Sequence, residues 1–192
     1  MFGNHMILII DNYDSFTYNL VHSVEGLGFQ TNVILNDSHT AERVSELNPE
    51  KIILSPGPGR PENAGITRAV VKLYYQSLPI LGICLGHQCI GEVFGSRTVP
   101  ANQMLHGKTS EIRHDNSVLF TSCPNPFLAA RYHSLAMESV PSEFSVTAWD
   151  DKGEIMAIAH KKYPVFGLQF HPESFLTPEG NTIMCNFLGS NK

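Results

Sequence analysis

The feature that most constrains this chain is an alternation running through its first half. Four short apolar runs, MILII (6–10), TNVIL (31–35), KIILS (51–55) and PILGI (79–83), are separated by segments whose apolar residues recur at helical spacing. In SFTYNLVHSVEGLG (15–28), Phe16, Leu20, Val24 and Leu27 share one helical face; Asp14 or Ser15 is placed to cap the start and Gly28 to end it. TAERVSEL (40–47) reads as a short helix stopped ahead of Pro49, and ITRAVVKLYYQ (66–76) and GHQCIGEVFG (86–95) as two more. Short apolar strands joined by helices pair in parallel, and right-handed crossovers put the helices on both faces of the sheet. The chain is therefore expected to be α/β, one domain with a mostly parallel central sheet flanked by helices. Its 192 residues, 42% of them hydrophobic, suffice for one buried core.

The second half changes character. KTSEIRH (108–114), SVLF (117–120), FSVTAWD (144–150), IMAIAHK (155–161) and VFGLQFH (165–171) read as antiparallel or mixed strands, giving an additional small antiparallel sheet. TPEGNTIMCNFLG (177–189) reads as a closing helix with Thr177 as its cap, Pro178 in the first turn and Glu179 near the positive end.

Several function classes are disfavoured. A net charge of −5 argues against nucleic acid as a partner. No apolar stretch approaches the roughly 20 residues that span a bilayer, so no membrane association is expected. The N-terminus, MFGNHMILII, lacks a basic region ahead of its apolar run, which points to a cytoplasmic protein without a signal peptide. Residues 1–5 read as an extension or tag remnant, with the domain spanning 6–190. Cys84, Cys89, Cys123 and Cys185 form no C-x-x-C pair, and no metal-ligand set is expected.

In open parallel sheets, active sites gather where strands end at their carboxyl side. Three loops leave those ends here: DNYDS, SPGPG and CLGHQ. In Gly82-Ile83-Cys84-Leu85-Gly86 a strand runs directly into a helix, the setting of a nucleophile elbow. The glycines relieve crowding, the helix N-terminus favours a thiolate, and the N–H of Leu85 is a natural oxyanion donor. The pentapeptide alone fits a buried structural cysteine equally well. A thiol nucleophile needs a base, and the base an orienting group. In LQFHPES (168–174), His171 and Glu173 would point the same way on extended backbone, making Cys84, His171 and Glu173 a candidate triad. Taken alone, His-Pro-Glu reads more readily as an exposed turn. SPGPG (55–59) offers bare backbone N–H groups for a second oxyanion donor; it could equally cradle a phosphate, but the Gly-x-x-x-x-Gly-Lys pattern is missing.

Taken in order and spacing, GICLGHQ, SPGPG and FHPES resemble the class I glutamine amidotransferases, over Met6 to about Leu188. DNYDSFTYNL (11–20), HGK (106–108) and YHSL (132–135) resemble the glutaminase subunits of anthranilate synthase and aminodeoxychorismate synthase. The resemblance implies hydrolysis of L-glutamine to glutamate and ammonia, with Cys84 as nucleophile, His171 as base and acid, and Glu173 holding His171. It implies an oxyanion hole at the N–H groups of Gly57 and Leu85, and glutamine binding by Gly57, Pro58, Gly59, Gln88, Ser134 and Leu135. It further implies delivery of ammonia to a large synthase subunit that uses chorismate and binds Mg²⁺, with no cofactor in this chain. Asn12, Tyr13, Ser15, His106 and Lys108 match partner-facing segments, with Phe16 and Leu20 in the core. Gly59 is more typical of the tryptophan-pathway subunit, whereas the folate-pathway relative often carries cysteine there; one glutaminase can serve both. A non-catalytic regulatory module on the same fold and a peptide-cleaving cysteine hydrolase are the rival readings.

Overall fold

The computed structural model describes residues 6–103 and 107–189; the extension expected at residues 1–5, and His106, lie outside the described residues. The first half comprises β1 (Met6–Asp11), α1 (Thr17–Gly26), β2 (Gln30–Leu35), a 3-10 segment (Ala41–Leu47), β3 (Lys51–Leu54), α2 (Thr67–Tyr74), β4 (Ile80–Ile83) and α3 (Leu85–Val93). The second half adds β5 (Thr98–Pro100), β6 (Lys108–His114), β7 (Phe127–Arg131), β8 (Leu135–Met137), β9 (Phe144–Trp149), β10 (Ile155–His160), β11 (Val165–Leu168) and α4 (Gly180–Leu188).

One nine-stranded sheet runs in the order β2-β1-β3-β4-β11-β10-β9-β6-β7, and β5 pairs with β8 in a separate two-stranded antiparallel sheet. Strands β2, β1, β3, β4 and β11 are mutually parallel. From β11 outward the pairing turns antiparallel. The second-half strands therefore mostly extend the central sheet, and only β5 and β8 form the small sheet apart.

The alternation of side chains along β1 sorts the core into two layers. Ile7 and Ile9 pack with Leu20 and Val24 of α1 and Ile183 and Phe187 of α4. Leu8 and Ile10 pack with Val70 and Val71 of α2 and Ile90 of α3 on the other face. All four β1 residues are completely buried, which explains why the run reads as continuously apolar instead of alternating.

Three local readings are corrected. SVLF is a 3-10 turn (Val118–Phe120), not a strand: the Ser117 N–H donates to Asp115 Oδ1 at 2.9 Å, and the turn buries Leu119 and Phe120 while exposing Val118. TAERVSEL winds as 3-10 helix and ends with Asn48 in the left-handed region (φ 50°) ahead of Pro49. The closing helix starts at Gly180, not Thr177, because the Thr177 hydroxyl is engaged elsewhere: it donates to the His171 carbonyl at 2.7 Å and accepts the Ala130 N–H at 2.9 Å.

Candidate active site

Cys84 sits between β4 and α3. Its N–H still donates to the Leu168 carbonyl of β11 at 2.7 Å, while its carbonyl already accepts the Gln88 N–H at 3.0 Å as the first helical bond. Being strand on one side and helix on the other forces φ 51° and ψ −101°, a region that a side chain normally avoids and that marks functional sites. The flanking glycines are steric requirements. A Cβ on Gly82 would lie 2.5 Å from the Gly86 carbonyl oxygen, and one on Gly86 2.5 Å from that of Leu54. Leu85 is the first residue of α3, so its N–H has no intrahelical acceptor and is available.

Asn12 orders the SPGPG loop. Its N–H donates to Ser55 Oγ and its Nδ2 to the Ser55 carbonyl, both at 2.8 Å; its Oδ1 accepts from Asn36 Nδ2 at 3.0 Å and Thr67 Oγ1 at 2.7 Å. Asn12 is only 2% exposed and braces the loop from inside, so its side chain offers little surface to a partner. A Cβ on Gly57 would lie 2.5 Å from the Asn12 carbonyl oxygen and 3.0 Å from Leu85 Cδ2, which places the two expected oxyanion residues side by side.

His171 and Glu173 meet in a turn, not on an extended strand. His171 forms a single antiparallel bridge to Ala130, and residues 172–173 then turn, with the Ser174 N–H donating to the His171 carbonyl. The turn still brings the imidazole Nδ1 to 2.6 Å from Glu173 Oε1, both side chains being almost wholly buried. Burial by itself would lower the histidine's pKa. The Glu173 carboxylate and then the Cys84 sulfur outweigh it and hold the pKa well above the usual imidazole range. Nε2 makes no well-aligned hydrogen bond within the chain, so it is the nitrogen left for the sulfur and a substrate. Phe16, expected in the core, is only half-buried; its ring and that of Tyr132 flank the imidazole at centroid distances of 6.3 and 5.0 Å.

A cavity of about 200 Å³ opens beside the sulfur. Its lining includes Gly57, Pro58, Gly59, Cys84, Leu85, Gln88, Ser134 and Leu135, all singled out from sequence, together with Tyr132 and His133, which were not. Both added residues lie in the YHSL segment, so the motif carried the signal. His133 is a wall support. Its Nε2 accepts from Arg131 Nε at 3.0 Å, which leaves the proton on Nδ1, donated to the Leu135 carbonyl at 2.9 Å. Burial, and then the Arg131 charge, push its pKa down to about 3, so it stays neutral. Of the expected partner-facing residues, Tyr13, Ser15 and Lys108 are exposed. Among the described residues, no group of three or more His, Cys, Asp or Glu is arranged to hold a metal ion, and no helix is long and apolar enough to cross a membrane.

Comparison with known proteins adds to this geometry. The model of the family "Glutamine amidotransferase class-I" matches residues 8–190. Anthranilate synthase component 2 of Pyropia yezoensis is 50% identical over 186 residues, covering 95% of this chain and 98% of that protein. Aminodeoxychorismate/anthranilate synthase component 2 of Bacillus subtilis is 49% identical over 185 residues, covering 95% of each. Among solved structures, a candidate GMP synthase component from Thermoplasma acidophilum superposes with a TM-score of 0.88 at 26% identity, covering 98% of this chain and 94% of that one. An elbow cysteine, a paired histidine and glutamate and an amino-acid-sized cavity thus occur in a chain whose whole length follows one family: it belongs to the class I glutamine amidotransferases.

Proposed function

We propose that this glutamine amidotransferase is the glutaminase subunit of an anthranilate synthase, with Cys84, His171 and Glu173 as its catalytic triad. The observation that carries the reading is the His171–Glu173 pair beside an elbow cysteine that opens onto a small pocket. The Cys84 sulfur attacks the side-chain amide carbon of glutamine, and the N–H groups of Leu85 and Gly57 stabilise the oxyanion that forms. His171 gives its proton to the departing nitrogen, so the C–N bond breaks, ammonia leaves and a thioester remains. Water, deprotonated by His171, adds to the thioester; the C–S bond breaks, glutamate leaves and the thiol is restored. Glu173 keeps the proton of Nδ1 in place throughout. Gln88, the Gly57–Gly59 backbone and the Ser134–Leu135 segment hold the substrate.

Ammonia then passes to a chorismate-using large subunit, to which we assign the Mg²⁺. Tyr13, Ser15 and Lys108 are exposed candidates for contact with it. A free-thiol nucleophile fits a cytoplasmic setting, where thiols stay reduced. The Bacillus subtilis relative bears the names of both synthases, which supports a second reading: the same glutaminase supplying aminodeoxychorismate synthase. The test is co-purification with the large subunit followed by a chorismate assay that separates anthranilate from aminodeoxychorismate. Cys84→Ser should abolish glutamine-dependent product while leaving ammonia-dependent product. Glutamine-dependent product surviving that substitution overturns the triad, and aminodeoxychorismate as sole product overturns the pathway.

A further inference from the structure

Gln169 is completely buried between the pocket wall and the nucleophile. Its backbone N–H donates to the Met156 carbonyl at 2.9 Å, which fixes the chain there to the sheet. Its side-chain amide touches two functional groups: Nε2 lies 3.6 Å from Cys84 Sγ, and Oε1 accepts from Gln88 Nε2 at 3.2 Å. The two ends of a primary amide have nearly the same shape, so only the hydrogen-bond network decides which end faces which neighbour. Here the network has one fixed point. The Leu135 carbonyl can only accept, and it lies 3.0 Å from the Gln88 amide, so the end of Gln88 at that position is its NH₂. The second hydrogen of that NH₂ is directed at Gln169, whose facing atom must then be the oxygen. The other end of Gln169, its NH₂, is left toward the sulfur. A backbone carbonyl in the pocket wall thus dictates, through two side-chain amides, that the nucleophile meets a donor.

We propose that Gln169 is a further catalytic residue: its Nε2–H donates to the Cys84 thiolate and stabilises it, in an orientation locked by the Leu135–Gln88–Gln169 relay. Donors to charged acceptors are the stronger class of hydrogen bond, and this one is shielded from water. A buried amide that merely satisfies its own polar atoms would need no sulfur at one end. The relay also joins the pocket wall to the nucleophile, since Gln88 and Leu135 both line the cavity.

The inference rests on Cys84 being the nucleophile, and the experiment separates the two. Cys84 of the purified chain is alkylated with iodoacetamide across a range of pH, the adduct being quantified by mass spectrometry, in wild type, Gln169→Glu and Gln169→Met. Other groups act on this site. His171, backed by Glu173, interacts with the sulfur; Asp14, from the loop after β1, and His133, from the segment before β8, interact with His171. All are common to the three proteins, so a difference reports the amide. Expected is an upward move of the alkylation midpoint by about one pH unit in Gln169→Met and by more in Gln169→Glu, where a carboxylate replaces the donor. Gln169→Glu keeps an acceptor for Gln88, so kcat for glutamine should fall more than KM rises. Unchanged midpoints in folded variants overturn the proposal while leaving Cys84 as nucleophile; glutamine turnover surviving in Cys84→Ser overturns the underlying reading instead. Should both variants fail to fold, the wild type decides. The Gln169 side-chain amide resonances must shift with the alkylation midpoint and lose that titration in Cys84→Ser; resonances indifferent to the thiol refute the donor role.

Discussion

His171 Nδ1 lies 2.6 Å from Glu173 Oε1, the two residues being joined by a tight turn through Pro172. The contact fixes the imidazole so that Nδ1–H donates to the carboxylate and Nε2 is the nitrogen offered to the sulfur.

Replacing Glu173 with Gln keeps the size and removes the charge. The His171 pKa should fall, because burial, its largest single influence, then acts with less opposition. Glutamine turnover by the complex should drop about 100-fold or more in kcat, as expected when a general base loses its orienting partner. A stability signature accompanies this. The folded-state pKa of His171 lies above the unfolded value of about 6.5. The pair's contribution is therefore fully present below that unfolded value and is lost as pH rises through the raised folded one. Denaturant unfolding of wild type and Glu173→Gln from about pH 6 upward should show their difference shrinking with pH. A pH-independent difference would mean that the imidazolium–carboxylate pair is not what the substitution removes.

6-Diazo-5-oxo-norleucine, a glutamine analogue that alkylates thiols, should mark Cys84 and no other cysteine. Cys89 is fully buried, and burial, with Glu92 adding to it, pushes its thiol far above the ordinary range. Burial, then Glu179, pushes the Cys123 thiol up to about 11. Cys185 lies half-buried on α4, away from the cavity lining. Peptide mapping after stoichiometric labelling reads this directly, and a second labelled cysteine at comparable yield would contradict selectivity by the pocket.

What could be read in the sequence was whatever a repeating pattern or a tight local motif encodes. β1, β3 and β4 announce themselves as unbroken apolar runs because both faces of the parallel sheet are covered. The elbow is legible because only glycine fits at positions 82 and 86. β5 and β8 are three residues each, too short for any period, and they pair only because the fold brings residues 98–100 and 135–137 together. Thr177 sits where a helix cap belongs, yet tertiary partners at Ala130 and His171 claim its hydroxyl. Asn12 and Phe16 lie in one motif and separate in space, the first bracing the SPGPG loop and the second standing against His171. Gln169 owes its significance to a hydrogen bond with a residue 81 positions away, which has no local signature, whereas His133 lies inside the quoted YHSL segment and only its contact with the buried Arg131 was missed.

Two glycine substitutions should act with opposite sign. A Cβ on Gly86 would meet the Leu54 carbonyl oxygen at 2.5 Å and Leu54 Cβ at 2.7 Å, both on a central strand that cannot yield. Gly86→Ala should cost about 1–3 kcal/mol and depress turnover by shifting the elbow. A Cβ on Gly26, at the end of α1, would meet nothing within 4 Å. Gly26→Ala should be neutral or stabilise by up to about 1 kcal/mol with turnover unchanged. Thermal and urea unfolding of the two variants side by side test the pair. Equal stability of Gly86→Ala and wild type would show that the strand–helix packing at the elbow has slack.

Arg131 carries no part of the chemistry but is fully buried behind the pocket wall. Its guanidinium donates to Asp150 Oδ2 at 2.7 Å, to Glu154 Oε1, and through Nε to His133 Nε2 at 3.0 Å. Glu154 in turn accepts the Asn102 N–H at 2.7 Å, so one cation ties β7, the segment after β9 and the chain after β5 to the YHSL segment. Arg131→Met would leave two buried carboxylates facing each other without a counter-charge. The expected cost is about 3–5 kcal/mol, because breaking a buried pair strands its partner. His133 should also become easier to protonate, since the Arg131 charge that helps hold it neutral is gone. With the Arg131 donor gone from Nε2, the ring is held only through its Nδ1–H to the Leu135 carbonyl and fixes the substrate wall less firmly, so KM for glutamine should rise more than kcat falls. Urea unfolding, a histidine titration by NMR and steady-state kinetics read the three effects separately. A loss below about 1 kcal/mol, with KM unchanged, would mean that the wall stands without the cluster, and that the Arg131–His133 contact is packing without consequence for the pocket.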